Sequence, residues 1–196
     1  CAGNVFVNCD HGVWALNSSN VKLYQNTFIN STACISRNDR SAAGDHFGWH
    51  PSTGPDVDKR EGHEFVNNLL AADENFKRPL LYVWQSPAVC GQLTKSQLNK
   101  LDYNVYVRSS DTTNPLIWWS PEKNDKCTKS YNSLAEFQKA YTEHSVHSTS
   151  FQNYHGPLFK SWMLGNFEVM KGFPESGKSF PLPAEIAKIL GKAESH

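Results

Sequence analysis

The segment Asn4-Val5-Phe6-Val7-Asn8 returns as Asn26-Thr27-Phe28-Ile29-Asn30, at an offset of 22 residues. A third and looser copy, His63-Glu64-Phe65-Val66-Asn67-Asn68, follows a longer excursion. Between the first two copies lie two further stretches of alternating apolar residues, 12–16 and 20–24, bounded by Asn, Ser or Gly. Alternation of this kind is typical of β-strands, and the bounding residues are typical of turns. The first part of the chain is therefore a repeat of short strands.

A repeat of this length suits one coil of a parallel β-helix, because three strands of ~3–5 residues and their tight turns use up such a length. Val5 and Val7 would face one side of the strand and Phe6 the other. Asn at the turns tolerates the left-handed backbone conformation, and stacked amides can bond from coil to coil. A leucine-rich repeat is disfavoured because the regular leucine spacing of such repeats is absent. The sequence predicts an all-β fold: a right-handed parallel β-helix with short capping helices and long loop insertions.

Four segments carry a resemblance to a known family: 4–37, 101–106, 133–138 and 156–187. Segment 4–37 resembles the coils of bacterial right-handed β-helix proteins of the pectate-lyase-like superfamily. Segment 101–106 is similar to the strand that follows their last regular coils, 133–138 to a short helix placed after it, and 156–187 to their closing segment. The resemblance implies the C-terminal portion of such a protein. It is specific for architecture and poorly specific for the reaction.

The predicted organisation is a single domain over residues 1–196. The β-helix coils occupy 1–119 and carry one polar insertion, 38–62, and a C-terminal capping region follows over 120–196. A structureless stretch as long as this insertion is usually functional or disordered. The insertion is therefore the part of the chain where a site is most expected.

Local signals predict three short helical pieces. Ser133, with Glu136 three residues later, forms a capping box that opens a helix to about Tyr141. Pro183 suits the first turn of a last short helix, and residues 94–98 are expected to form a helical turn.

The chain reaches its first strand almost at residue 1, with no helix to cover the first coil. An uncovered end of a β-helix exposes strand edges and an apolar cross-section, which invite aggregation. We therefore expect residues 1–30 to pack against preceding coils. Those coils would come from the same parent chain, a cleaved fragment or a symmetry mate.

Composition narrows the class of partner. The 19 Lys and Arg residues balance the 19 Asp and Glu residues, which gives no preference for nucleic acid. No apolar run approaches the ~18 residues of a transmembrane helix, and no signal peptide is seen. The expected partner is a polysaccharide or oligosaccharide, and the expected location is extracellular, periplasmic or at the cell surface.

The five cysteines do not have the spacing of a zinc site. Their odd number leaves at least one thiol unpaired within the chain. A bridge between Cys90 and Cys127 fits an exported protein, but the pairing does not follow from the sequence.

The densest set of polar side chains lies in the insertion and at its two ends. A polysaccharide lyase needs a cation to neutralise a uronate carboxylate and a base for the C5 proton, whereas a glycoside hydrolase needs two carboxylates. The catalytic candidates are Asp45, His46, His50, Arg60 and His63. The substrate-binding candidates are Arg37, Arg40, Trp49 and Lys59. The alternative is that the insertion has no functional role and is a surface loop whose charged side chains interact with one another and with water.

Metal binding at the insertion is a weaker hypothesis. Asp56 and Asp58 offer oxygen ligands for calcium but fall short of a full ligand set. Gly48 and Pro51 argue against a helix that would bring His46 and His50 onto one face for a transition metal. Trp49 has a different use, as a platform on which a sugar ring stacks.

The predicted function is that of part of an exported carbohydrate-active enzyme acting on a polysaccharide, either a lyase or a glycoside hydrolase. The open alternative is a non-catalytic carbohydrate-binding module or a structural β-helix cap of a larger protein. Position distinguishes the two. A catalytic insertion should lie over the sheet face that carries tryptophan and basic residues.

Overall fold

A computed structural model describes residues 1–43, 54–110, 114–175 and 181–191. Its strands are β1 (Val5–Val7), β2 (His11–Leu16), β3 (Lys22–Tyr24), β4 (Thr27–Ile29), β5 (Thr32–Arg37), β6 (His63–Val66), β7 (Leu69–Ala72), β8 (Leu81–Gln85), β9 (Leu98–Asp102), β10 (Val105–Arg108), β11 (Ile117–Trp119), β12 (Lys129–Tyr131), β13 (Thr149–Phe151), β14 (Phe159–Ser161) and β15 (Asn166–Val169). Its helices are α1 (Pro87–Cys90), α2 (Leu134–Ala140) and α3 (Ala184–Ile189), with 3-10 turns at Val57–Lys59 and Trp162–Leu164. No helix in these ranges is long and apolar enough to cross a lipid bilayer.

Most strands belong to three sheets that the chain visits in turn. Sheet A has the order β3-β6-β9, sheet B the order β1-β4-β7-β10-β13, and sheet C the order β12-β11-β8-β5-β2. Neighbouring strands are parallel throughout sheets A and B, and in sheet C from β2 to β11. A strand of sheet B is followed by one of sheet C and then by one of sheet A. Each of the three passes from β1 to β9 therefore adds one strand to each sheet.

The predicted fold class is wrong. The chain is mixed α/β: of the residues that the structure describes, 13% are helical and 35% lie in strands, and these residues form no closed solenoid. Sheet C is mixed because β12 runs antiparallel to β11, and β14 pairs with β15 antiparallel in a sheet of its own. The all-β right-handed parallel β-helix is replaced by a mixed α/β stack of sheets. The physical reason is that the repeat covers only the beginning of the chain, whereas local turn and capping signals set the later hairpins and helices.

The two copies of the repeat pair with each other in sheet B. Phe6 lies opposite Phe28 in register, and their rings stack with centroids 5.0 Å apart. At the ends of the two strands, Asn8 and Asn30 take the left-handed conformation, with φ of 53° and 48°. The offset read from the sequence is thus the strand register of the structure.

Buried asparagines join successive passes of the chain. Asn26, Asn68 and Asn104 each stand immediately before a strand of sheet B. The main-chain N–H and the side-chain Nδ2 of Asn26 donate to Asn68 Oδ1 at 3.0 and 3.1 Å, and those of Asn68 donate to Asn104 Oδ1 at 2.9 and 3.1 Å. Because an unpaired buried amide costs about 1–3 kcal/mol, this asparagine row fixes the corner between sheets A and B.

The main core lies between the three sheets. Its inward-facing side chains include Leu23, Phe28, Ile35, Phe65, Leu70, Val83, Leu101, Tyr106 and Ile117. Leu134 and Phe137 of α2 join the same cluster. Ser133 begins this helix as predicted, since its Oγ accepts from the Glu136 N–H at 3.2 Å. The prediction of the helix is confirmed, and α2 packs on the core beside β12.

The last part of the chain covers the outer faces of two sheets. Phe159 and Phe173 pack in a cluster with Ile29 on sheet B, and Ile186 of α3 packs with Tyr24 on sheet A. No comparable cluster covers the outer face of sheet C in the part of the chain that the structure describes. The outer face of sheet C therefore differs from those of sheets A and B in the part of the chain that the structure describes.

The connection from β8 to β9 differs from the prediction. Residues 94–98 form no helical turn, and α1 lies earlier, where Ser86 Oγ accepts from the Ala88 N–H at 3.3 Å. Pro87 at the first helical position favours this start, because its missing N–H is not needed there. Cys90, at the end of α1, forms a disulfide with Cys127, 37 residues away.

Candidate functional site

The outer face of sheet C carries a row of aromatic side chains. In strand register, Trp14 lies opposite Cys34, Cys34 opposite Tyr82, and Tyr82 opposite Trp118. The chain neighbours of this row, Ala15, Ile35, Val83 and Trp119, lie in the core. Because successive side chains of a strand point to opposite faces, the row itself faces outward. We call Trp14, Leu16, Tyr82, Trp84 and Trp118 the aromatic face.

The rings of the aromatic face are held by their neighbours. Trp14 is 58% exposed, and its Nε1 donates to Ser36 Oγ on the adjacent strand at 2.7 Å. The His11 ring stacks on Trp14 with centroids 4.9 Å apart. Tyr82 and Trp118 lie with ring centroids 5.7 Å apart. Rings fixed in this way lose little conformational entropy when a ligand binds.

Residues 38–43 and 54–62, the two described arms of the insertion, border the aromatic face on one side. Asn38, on the leaving arm, exchanges two hydrogen bonds of 2.9 Å with Asn17, which directly follows β2. On the returning arm, Gly54 has φ of 89°, and a Cβ at that position would come within 1.9 Å of the Asn17 carbonyl oxygen. Only glycine allows this approach. Both arms therefore lie beside Leu16, at the end of β2.

A buried guanidinium group ties the two arms together. Arg60 has no exposed surface and donates to the Pro55 carbonyl at 2.9 Å on its own arm. It also donates to the Asn38 and Arg40 carbonyls at 2.8 and 2.6 Å on the other arm. Burial lowers the pKa of Arg60. Carbonyl acceptors replace the water that the buried charge has lost. These contacts give Arg60 a part in holding the insertion, while its catalytic role stays a prediction.

Arg37 and His63 are buried under the ends of the insertion. Arg37 donates from Nε and Nη2 to Gln85 Oε1 at 2.9 and 2.6 Å, and from Nη2 to the Lys95 carbonyl at 2.7 Å. Burial lowers the pKa of Arg37 to about 10, which leaves it charged at neutral pH. His63 Nδ1 accepts from the Val21 N–H at 3.1 Å. Burial and the neighbouring Arg37 charge lower the pKa of His63 to about 4.

We expect His63 to make stability depend on acid pH. Its folded-state pKa of about 4 lies below the ordinary value of 6.5, so protonation favours the unfolded state. Neutral His63 makes its full contribution to the free energy of unfolding above pH 6.5. As the pH falls towards 4, the free energy of unfolding decreases by about 3 kcal/mol. Urea unfolding at pH 7 and pH 4.5 measures this loss.

The control for this prediction is His63→Asn, whose Oδ1 can accept from the Val21 N–H in place of Nδ1. The variant should lose about 2 kcal/mol less than the native chain on acidification. Equal losses in the two proteins would show that His63 does not titrate in this window.

Segment 73–80 borders the aromatic face on the opposite side, where β8 begins. Arg108 is buried and donates to three main-chain carbonyls, those of Phe76 at 2.9 Å, Arg78 at 2.6 Å and Pro115 at 2.9 Å. Burial lowers the pKa of Arg108 to about 10. A buried guanidinium thus holds this border as Arg60 holds the other.

Polar groups from this border reach Trp14. Arg78 Nη1 pairs with Asp10 Oδ1 at 2.8 Å, and Arg78 Nη2 lies 3.4 Å from His11 Nε2. Partial burial and the Arg78 charge lower the pKa of His11, so the imidazole stacked on Trp14 is neutral at pH 7. The aromatic face therefore has a cation and a neutral hydrogen-bonding ring at its edge.

The remaining predicted site residues are spread over the insertion. Asp45, His46, Trp49 and His50 lie outside the described residues. Lys59 Nζ pairs with Asp56 Oδ2 at 2.9 Å, while Asp58 and Arg40 are exposed. The ranges that the structure describes hold no group of three or more His, Cys, Asp or Glu side chains that could bind a metal ion. Among these residues, no third His, Cys, Asp or Glu side chain joins Asp56 and Asp58 as a possible calcium ligand.

Sequence reasoning missed the aromatic face. The alternation of Leu81-Tyr82-Val83-Trp84 was a usable signal, because it places one aromatic pair on the face opposite the apolar pair. The same reasoning applies to Trp14 in 12–16 and to Trp118 in 117–119. Only the strand register shows that these positions meet in one row.

Comparisons of the chain with protein-family models, with curated proteins and with solved structures find no match. The fold and the site define a mixed α/β chain with an aromatic row across one sheet, which is exposed at Trp14 and partly buried at Tyr82 and Trp118. Two segments, each held by a buried arginine, border this row.

Proposed function

We propose that this protein binds an extended polysaccharide across the aromatic face. The observation that carries the proposal is the register of Trp14, Tyr82 and Trp118 in one row across sheet C. Adjacent strands are ~4.8 Å apart, so the row from β2 to β11 spans roughly 14 Å. Rings spaced along a line provide successive stacking platforms for the flat apolar faces of sugar rings.

The polar surroundings of the row favour a neutral or weakly charged carbohydrate. The chain has a formal net charge of +0, which gives no field for a strongly charged polymer. Arg78 and the neutral His11 ring stand beside Trp14, where they can bond to ligand hydroxyl groups. The aromatic face supports the proposal independently of the resemblance to the pectate-lyase-like superfamily, whose implied fold class is wrong. An exported location remains part of the proposal.

The first test is retardation of the protein in gels that contain soluble polysaccharides, both neutral and uronic-acid types. At least one polysaccharide should retard the native protein. Trp14→Ala should weaken that binding by up to roughly tenfold, because one stacking contact is worth about 0.5–1.5 kcal/mol. Trp162→Ala is the matched control, since Trp162 packs against the cluster on sheet B. Equal mobility of the native protein in every gel would contradict the proposal.

A second candidate function is cleavage of the bound polysaccharide, by a lyase or a hydrolase reaction. What favours it is position: Arg60 fixes both arms of the insertion beside the aromatic face. The catalytic groups would be Asp45, His46 or His50 in that insertion. A non-catalytic binding module or a structural cap is the alternative.

Product analysis separates these possibilities. New unsaturated ends would indicate a lyase, new reducing ends alone would indicate a hydrolase, and binding without either would indicate a binding module. Asp45→Ala and His50→Ala should abolish turnover without changing gel retardation if the insertion is catalytic. Arg60→Ala is unsuitable for this test, because it leaves three carbonyl groups without their donor.

A further inference from the structure

A cavity of about 640 Å³ lies beside β12, at the end of sheet C away from β2. Its walls come from the β8–β9 connection, the β11–β12 hairpin and the end of α2. The residues that matter are Thr94, Glu122, Lys123, Lys129, Tyr131 and Tyr141. Lys129 and Tyr131 lie opposite Trp119 and Ile117, which face the core, so these two side chains lie on the other side of the sheet from Trp118. The cavity is therefore separate from the aromatic face.

Glu122 offers one free carboxylate oxygen to this cavity. Its Oε1 accepts from the Tyr131 hydroxyl at 2.5 Å and from the Tyr141 hydroxyl at 2.9 Å. Burial and the neighbouring carboxylate raise the pKa of both phenols, so they stay protonated and donate. Its Oε2 accepts no hydrogen bond from the described residues. The two tyrosine hydroxyl groups hold the carboxylate in place through Oε1, so Oε2 can accept a hydrogen bond from a ligand.

The charges around Glu122 restrict the ligand. Lys123 and Lys129 line the same cavity, and neither forms an ion pair with a described residue. Lys129 Nζ stands 4.7 Å from the centre of the Tyr131 ring. Two ammonium groups beside one carboxylate repel a cationic ligand. These charges favour a neutral hydroxyl group over an amine as the donor to Glu122 Oε2.

We propose that this cavity binds a neutral sugar ring. Hydroxyl groups of the sugar donate to Glu122 Oε2 and accept from Lys123 and Lys129. The apolar face of the ring packs on Tyr141, as expected for a pocket with a few converging polar groups. This site is additional to the aromatic face and does not rest on the function proposed for it.

The disulfide joins two walls of the cavity. Cys90 is part of one wall, and its partner Cys127 closes the hairpin turn of the other, where its carbonyl accepts from the Glu122 N–H at 3.0 Å. A cross-linked cavity is already formed before the ligand arrives, which favours binding of a small and weakly held molecule.

The test is ligand-observed NMR and calorimetric titration of the native protein with D-glucose, D-galactose, D-xylose, D-glucosamine and D-glucuronate. At least one neutral sugar should bind, and D-glucosamine should bind more weakly than D-glucose or D-galactose. Glu122→Gln should lower the affinity by about tenfold, since it removes the charged acceptor. Met163→Ala should leave this binding unchanged, because Met163 is exposed and lies in neither the cavity nor the aromatic face. No binding of any neutral sugar, or tighter binding of D-glucuronate, would overturn the proposal.

Thermal unfolding shows whether Glu122→Gln folds. If it does not, two further variants test the same proposal. Thr94→Val and Lys123→Met lie on the cavity wall and leave the two tyrosine hydrogen bonds intact. Each should weaken binding of the neutral sugar by about threefold to tenfold. Unchanged affinity in both would overturn the proposal. Loss of sugar binding in Trp14→Ala with none in these variants would assign the sugar to the aromatic face instead.

Discussion

Breaking the Cys90–Cys127 disulfide is expected to lower the free energy of unfolding by about 4 kcal/mol. The two cysteines are 37 residues apart in sequence, and a cross-link over such a length restricts the unfolded chain strongly. Cys127 is fully buried in the turn of the β11–β12 hairpin, so the cross-link also ties this turn to α1. The loss should therefore appear as a lower midpoint of urea unfolding.

Urea unfolding of the oxidised and the reduced native protein measures this effect, because reduction keeps both sulfur atoms in place. The double variant Cys90→Ser/Cys127→Ser should give a loss at least as large. Cys9→Ser is the matched control, since Cys9 is a partly exposed free cysteine. A change below about 1 kcal/mol on reduction would show that the cross-link does not hold these segments together.

Asn68→Ala is expected to cost about 4 kcal/mol, because it breaks the asparagine row at its centre. The Asn68 side chain accepts from Asn26 twice and donates to Asn104 Oδ1 and to the Leu23 carbonyl, at 2.9–3.1 Å. All of these groups are buried, so their lost partners are not replaced by water. Each unsatisfied buried group costs about 1–3 kcal/mol.

Chemical denaturation compares Asn68→Ala with Asn99→Ala, because Asn99 is exposed on β9. The control should change the free energy of unfolding by less than about 0.5 kcal/mol. Asn68→Asp places a buried carboxylate oxygen against the Leu23 carbonyl and Asn104 Oδ1, which are both acceptors, so its loss should be at least as large as that of Asn68→Ala. Equal stability of Asn68→Ala and Asn99→Ala would mean that the asparagine row does not support the stack.

The sequence predicts those parts of the fold that neighbouring residues determine. The repeat of 4–8 in 26–30 predicts the pairing of Phe6 with Phe28, and Ser133 predicts the start of α2. The fold class did not follow, because it depends on how later segments without a repeat pair. The antiparallel β12 and the β14–β15 pair belong to those segments.

The candidate site was harder to predict for the same reason. Tyr82 and Trp14 are 68 residues apart, with the insertion between them, so only the register of β2, β5 and β8 brings them into one row. Charged residues are mostly exposed, so Arg60 was predicted to be a catalytic residue. Its burial depends on carbonyl groups from the distant leaving arm, which no local pattern shows.

The central claim is that the aromatic face binds polysaccharide, and a dissociation constant tests it most directly. The measurement is calorimetric titration of the native protein, of Trp14→Ala/Trp118→Leu and of Trp162→Ala, with an oligosaccharide of the polysaccharide that retards the native protein. We predict that the double variant binds about 100-fold more weakly, since two stacking contacts are lost, and that Trp162→Ala binds as the native protein does. Equal dissociation constants for the folded double variant and the native protein would contradict the claim.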